Sequence, residues 1–100
     1  MSSDRYQVSM SRKVAEEIEV LFEDAARHGV TDDALAAYQT ALDQLETNPM
    51  GYGEARENLP AMSVRTRIAF ERPLVIRFGV HESGRIVWLQ SVRLRLPRRR

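Results

Sequence analysis

Residues 63–92 read SVRTRIAFERPLVIRFGVHESGRIVWLQSV, and the period of this stretch decides the fold. Val64, Thr66, Ile68 and Phe70 alternate with Arg65, Arg67, Ala69 and Glu71. A repeat of two places successive side chains on opposite sides of a pleated strand. Pro73 breaks the run and sets a turn. Leu74, Ile76, Phe78 and Val80 then alternate with Val75, Arg77, Gly79 and His81. Glu82-Ser83-Gly84 reads as a tight turn. Arg85 to Val92 is almost continuously apolar, as expected of a buried central strand. Leu94 and Leu96 extend the alternation against Arg93 and Arg95 until Pro97. The second half of the chain is therefore a meander of three strands.

The first half changes period. Tyr6, Val8 and Met10 alternate with Arg5, Gln7 and Ser9, which predicts a short strand. Ser11 follows as an N-cap, its side-chain oxygen available to the orphan amides of a helix's first turn. Val14, Ile18, Leu21, Phe22 and Ala25 form one helical stripe, with Glu16, Glu17, Glu19, Glu23 and Asp24 off it. Gly29 after His28 is a natural stop. Thr31 opens a second helix, with Asp32 and Asp33 in its positive first turn. Leu35, Tyr38, Leu42 and Leu45 are its apolar stripe, with Ala34, Ala37 and Ala41 nearby. So short a link predicts an antiparallel helical hairpin. Asn48-Pro49 ends it, and residues 49–62 read as a loop or one short turn. The glycines that bracket Tyr52 in that loop read as turn chemistry.

The expected fold is α+β. An antiparallel sheet of about four strands is packed by an N-terminal helical hairpin, in the order β-α-α-β-β-β. Ile18, Leu21, Phe22, Leu35, Leu42 and Leu45 are expected to pack on the sheet. One hundred residues make one domain, 1–100, and 43% hydrophobic residues suffice for one core. Residues 97–100, ending in Arg98, Arg99 and Arg100, read as a disordered tail.

Composition excludes several chemistries. Without cysteine there is no disulfide scaffold, thiolate metal site or cysteine nucleophile. His28 and His81 lie too far apart in sequence to suggest a zinc site. No apolar run approaches the roughly 20 residues of a membrane span. No signal-peptide stretch opens the chain, so a soluble cytoplasmic protein is the expectation. No Walker loop, dinucleotide fingerprint or serine–histidine–acid arrangement is present, and no cofactor or metal is expected.

Charge is more informative. Residues 1–50 hold four cations and ten anions, and residues 51–100 hold eleven arginines and four glutamates. A net +1 thus conceals poles of −6 and +7. Such asymmetry points to a polyanionic or acidic partner, unless the halves neutralise one another within the fold. If each strand's apolar set faces the helices, Arg65, Arg67, Arg77, Arg93 and Arg95 share the opposite face. Arginine's planar fork suits phosphate, so these five are the candidate nucleic-acid-binding residues. Tyr52 and Trp88 are candidates to stack on a base, although Trp88 in its apolar run reads as core. His81, beside Glu82 before the turn, is the candidate general base. His28, at a helix C-terminus, reads as structural.

The chain resembles the RelE/ParE superfamily of bacterial toxin–antitoxin toxins. The resemblance runs over nearly the whole chain: a short first strand (RYQVSMS), a helical hairpin closing on LDQLETNP, a loop ending in LPAM, and residues 63–92. It implies a toxin that inhibits growth, by ribosome-dependent cleavage of messenger RNA or by poisoning DNA gyrase. Its implied partners are a cognate antitoxin, which wraps and blocks it, and the ribosome with its mRNA or DNA gyrase. No membrane partner is implied, and a homodimer is left open. Arg65 and Arg67 match the basic residues of the family's first long strand. The catalytic set is then Arg65, Arg67, His81 and Arg93. Two departures weaken the ribonuclease reading. Pro73-Leu74 stands where the family has an arginine after an aromatic, and Val92-Arg93-Leu94-Arg95 lacks the histidine or tyrosine of its last strand. Arginine can stabilise a phosphorane but is too basic to take the ribose 2′-hydroxyl proton. The alternative is a non-catalytic module of the same fold that binds nucleic acid or a peptide.

Overall fold

The computed structural model describes residues 5–59 and 64–96. The arginine tail and the LPAM end of the loop, apart from Leu59, lie outside the described residues. The chain folds as α+β: β1 (Gln7–Met10), α1 (Arg12–Arg27), α2 (Thr31–Thr47), a 3₁₀ turn (Pro49–Gly51), β2 (Glu54–Leu59), β3 (Val64–Glu71), β4 (Leu74–His81) and β5 (Ile86–Leu94). The sheet is five-stranded and mixed, in the order β1-β5-β4-β3-β2. This corrects the expected four-stranded antiparallel sheet on two counts. β1 runs parallel to β5, Val8 beside Val87 and Met10 beside Leu89, and so covers an edge that would otherwise leave ladder groups unpaired. β2 falls where the sequence predicts a loop. EARENL carries no apolar alternation, because an edge strand is held by backbone pairing to β3 rather than by a buried face.

The helices start and stop where local chemistry demands. The Ser11 Oγ accepts from the Val14 N–H at 3.2 Å and caps α1. Gly29 takes φ +70° and breaks the chain toward α2. α1 buries Val14, Ile18, Leu21 and Ala25, as its stripe predicts. α2 buries Ala34, Ala37, Ala41 and Leu45. Its small residues point at the sheet, so the helix seats closely. Leu35 and Leu42 are rotated by roughly 80–100° from that line. Leu35 is 45% exposed and Leu42 only half-buried, which corrects the expected leucine stripe. Tyr38 is half-buried and meets Phe22 edge-on, ring centroids 5.8 Å apart. Burial raises the Tyr38 pKa above its ordinary value.

Both helices lie on one face of the sheet. Register fixes that face: Phe78 pairs with Leu89, Ile76 with Val92 and Ala69, and Val80 with Val87. All of these are buried. No helix among the described residues is long and apolar enough to cross a membrane.

Candidate functional site

The helix-free face is the candidate site, and the strand registers place its residues in rows. In one row Ile68, Arg77 and Ser91 stand side by side on β3, β4 and β5. In the next stand Phe70, Val75 and Arg93. On the other side of the first row lie Thr66, Gly79 and Trp88. Neighbouring strands are about 4.8 Å apart and alternate residues about 6.8 Å, so the three rows fit within one small ligand-sized span. An open depression of about 740 Å³ crosses these strands. Ile68, Phe70, Val75 and Gln90 line it, and Arg56, Arg77, Arg93 and Arg95 supply its charge.

Two local irregularities shape this surface. β2 bulges at Arg56, where the register jumps between Ala55 and Glu57. β5 bulges at Gln90, between the Phe78–Leu89 and Arg77–Ser91 pairs. The extra residue lets the Gln90 amide lie over Gly79, where an added Cβ would meet Gln90 Nε2 at 3.2 Å and Val64 Cγ1 at 3.0 Å. A side chain at 79 would have to displace that amide.

Glu54 stands beside Ile68 at the end of the Arg77 row, so one described carboxylate shares this face, but among the described residues it forms no ion pair with the arginines. The ion pairs Arg5–Glu46, Arg12–Glu16 and Arg27–Asp24 all lie in the helical half. Among the described residues none reaches Arg77, Arg93 or Arg95, all exposed. No carboxylate or histidine lines the depression among the described residues. Crowded like charges without counter-ions raise the local potential for an anion.

The five arginines expected on one face do not all share it. Arg77 and Arg93 do, and Arg95, just beyond the end of β5, lines the same depression. Arg65 pairs with Val80 and Arg67 with Phe78, which puts both on the helix side. α2 still packs against β3, where Ala69 lies in the core, and the Tyr52–Gly53 segment covers the same side at Arg67. Arg67 holds that cover down: its Nε donates to the Tyr52 carbonyl and its Nη2 to the Gly53 carbonyl, both at 2.9 Å. Tyr52 stacks on Phe78 at 6.0 Å and donates its hydroxyl to Glu71 at 2.8 Å. Burial first, then the Glu71 hydrogen bond and charge, pushes the Tyr52 pKa well above its ordinary value. Tyr52 is thus a structural clamp rather than a base-stacking residue.

The expected catalytic set does not assemble either. His81 pairs with Ile86 at the far end of β4, six residues from Val75, the neighbour of Arg93. That separation is about 20 Å. The His81 Nδ1 accepts from the Gly84 N–H at 3.0 Å and so shapes the turn. Trp88, read as core, is 46% exposed on the helix-free face, and Phe70 is 56% exposed. Sequence reasoning missed Arg56, Phe70 and Gln90. Phe70 was visible in the alternation of β3; the other two stand at bulges, which leave no periodic signal.

Comparison with known proteins yields no identification: no protein-family model, curated protein or solved structure matches the chain.

Proposed function

We propose that this protein binds a nucleic-acid backbone on its helix-free sheet face and, as a RelE/ParE-like toxin, inhibits growth by occupying that target. One observation carries the proposal. Arg56, Arg77, Arg93 and Arg95 converge on a single depression that no described carboxylate lines. Guanidinium groups fit phosphate bidentately. Phe70 and Trp88 on the same face offer rings to unstacked bases. The helical hairpin followed by a strand meander, and the small size, support the toxin reading, with an antitoxin as its partner.

Occupancy is favoured over cleavage by the chemistry of the lining. Transesterification needs a group that takes the 2′-hydroxyl proton. Arginine does not serve, and His81 stands about 20 Å along the sheet from Arg93.

The test is titration of a fluorescent single-stranded oligonucleotide at several salt concentrations. Affinity should fall steeply with salt. The R77Q/R93Q protein should bind at least tenfold more weakly, with a salt slope smaller by about two charges. Induction of both proteins in a host should arrest growth only for the native chain. Equal binding by both proteins would sink the proposal.

A further inference from the structure

Gln90 stands where β5 changes its alternation. In a regular strand Trp88, Gln90 and Val92 would share one face. The bulge at Gln90 shifts the pattern, so Val92 is buried in the core while Trp88 and Arg93 are exposed on the bare side. Gln90 itself is exposed and lines the depression with Arg77 and Arg93.

β4 supplies the seat for its amide. Gly79 is the cross-strand neighbour of Trp88. The space where a Cβ would stand at Gly79 is taken by Gln90 Nε2, which such a Cβ would meet at 3.2 Å. Val64 Cγ1 closes the same space at 3.0 Å. The amide makes no hydrogen bond with any described residue. A seated primary amide without an internal partner thus lies in the row of an exposed indole, among arginines. Guanidinium suits phosphate, an indole suits the face of a base, and an amide suits its edge.

We propose that Gln90 is the specificity-determining residue of this face and that it selects adenine in a single strand. The inference rests on the nucleic-acid reading above and adds the base to it. A primary amide presents a donor beside an acceptor. Adenine answers with an acceptor beside a donor on both of its open edges, N7 with the N6 amine and N1 with the N6 amine. Guanine's N7 and O6 are both acceptors, which leaves it one matching edge. Cytosine and thymine also have one, and their single ring covers less of an indole than a purine does. Adenine stacked on Trp88 therefore meets the amide in either orientation. Arginines that hold phosphate read no sequence, so the preference falls on Gln90.

The experiment titrates the full chain with fluorescent strands of about twelve nucleotides in about 50 mM salt. One strand is all thymine, and the others carry adenines, guanines or cytosines at the centre. The adenine strand should bind at least about fivefold more tightly than each of the others. Q90A should bring all the strands within about twofold of one another, with the salt slope unchanged. G79A keeps the glutamine but fills the seat of its amide, and it should lose the preference too. Circular dichroism checks that both variants fold, and affinity for the all-thymine strand checks that their arginine surface is intact. Equal native affinity for all the strands, tightest binding of the guanine strand, or a preference that survives either substitution overturns the inference while backbone binding stands. Failure of the native chain to bind any strand overturns the binding function and this inference with it.

Discussion

The two faces of the sheet are made from the same strands and meet opposite fates. On one, Phe78, Val80, Val87, Leu74 and Ile76 are at most 1% exposed beneath two helices and the Tyr52 segment. On the other, Phe70 and Trp88 remain about half in water, with arginines between them. Among the described residues the two helices and the Tyr52 segment cover one face only. The covered face therefore carries the stability. The bare face is free to carry charges that would be costly to bury.

The comparison breaks most visibly at its centre. Phe78→Ala should cost roughly 3–5 kcal/mol, since the ring is fully buried between Tyr52 and the helices. Urea denaturation measures it. A loss below about 1 kcal/mol would mean that the covered face is not the core.

A smaller effect sharpens the reading of α2. Leu45 is fully buried and Leu42 half-buried. Leu45→Ala should cost roughly 2–5 kcal/mol, and Leu42→Ala about half as much. Equal losses would restore the leucine stripe that the sequence suggests.

That stripe shows where sequence reading stops. Both helices, the Ser11 cap and four of the five strands are legible, because period and cap chemistry are local. What was not legible was tertiary. Nothing in EARENL marks a strand, since β2 earns its place through pairing with β3. The faces of β3 are the reverse of what its alternation suggests. Its apolar set, Val64 to Phe70, reads as the helix-facing one, but Ala69 of the other set lies in the core, and Arg67 on that same side is held by the Tyr52 and Gly53 carbonyls. The same reversal takes Arg65 and Arg67 off the site face and puts Phe70 on it. Arg77 and Arg93 were placed correctly, because β4 does put its long apolar set against the helices.

The Tyr52 clamp should be worth less than the core. Tyr52→Phe loses a half-buried hydrogen bond to a carboxylate, about 1 kcal/mol. It also alters the alkaline limb of stability. The tyrosine pKa is raised on folding, so the folded state holds its proton more tightly than the unfolded chain. This contribution is complete below the unfolded pKa near 10 and is lost as pH climbs from there toward the folded value. Denaturation at about pH 8 and pH 11 should show a shallower alkaline decline for Tyr52→Phe than for the native chain. Some decline should remain, because Tyr38 is raised in the same direction.

The smallest expected change in stability is at the bare face, and there it separates packing from function. Trp88 is the largest side chain of its row, yet 46% of it is in water and its cross-strand neighbours are the small Gly79 and Ser9. Trp88→Ala therefore opens no enclosed cavity, and unfolding should shift by no more than about 1 kcal/mol. Binding should respond differently. A ring that stacks on a base contributes about 1–3 kcal/mol, so single-stranded affinity should fall by roughly five- to a hundredfold. The salt slope should not move, because no phosphate contact is lost. Arg77→Gln should do the reverse in kind, lowering the slope by about one charge. A Trp88→Ala protein that unfolds easily would place the indole in the core after all. One that binds like the native chain would leave the arginines as the whole of the surface.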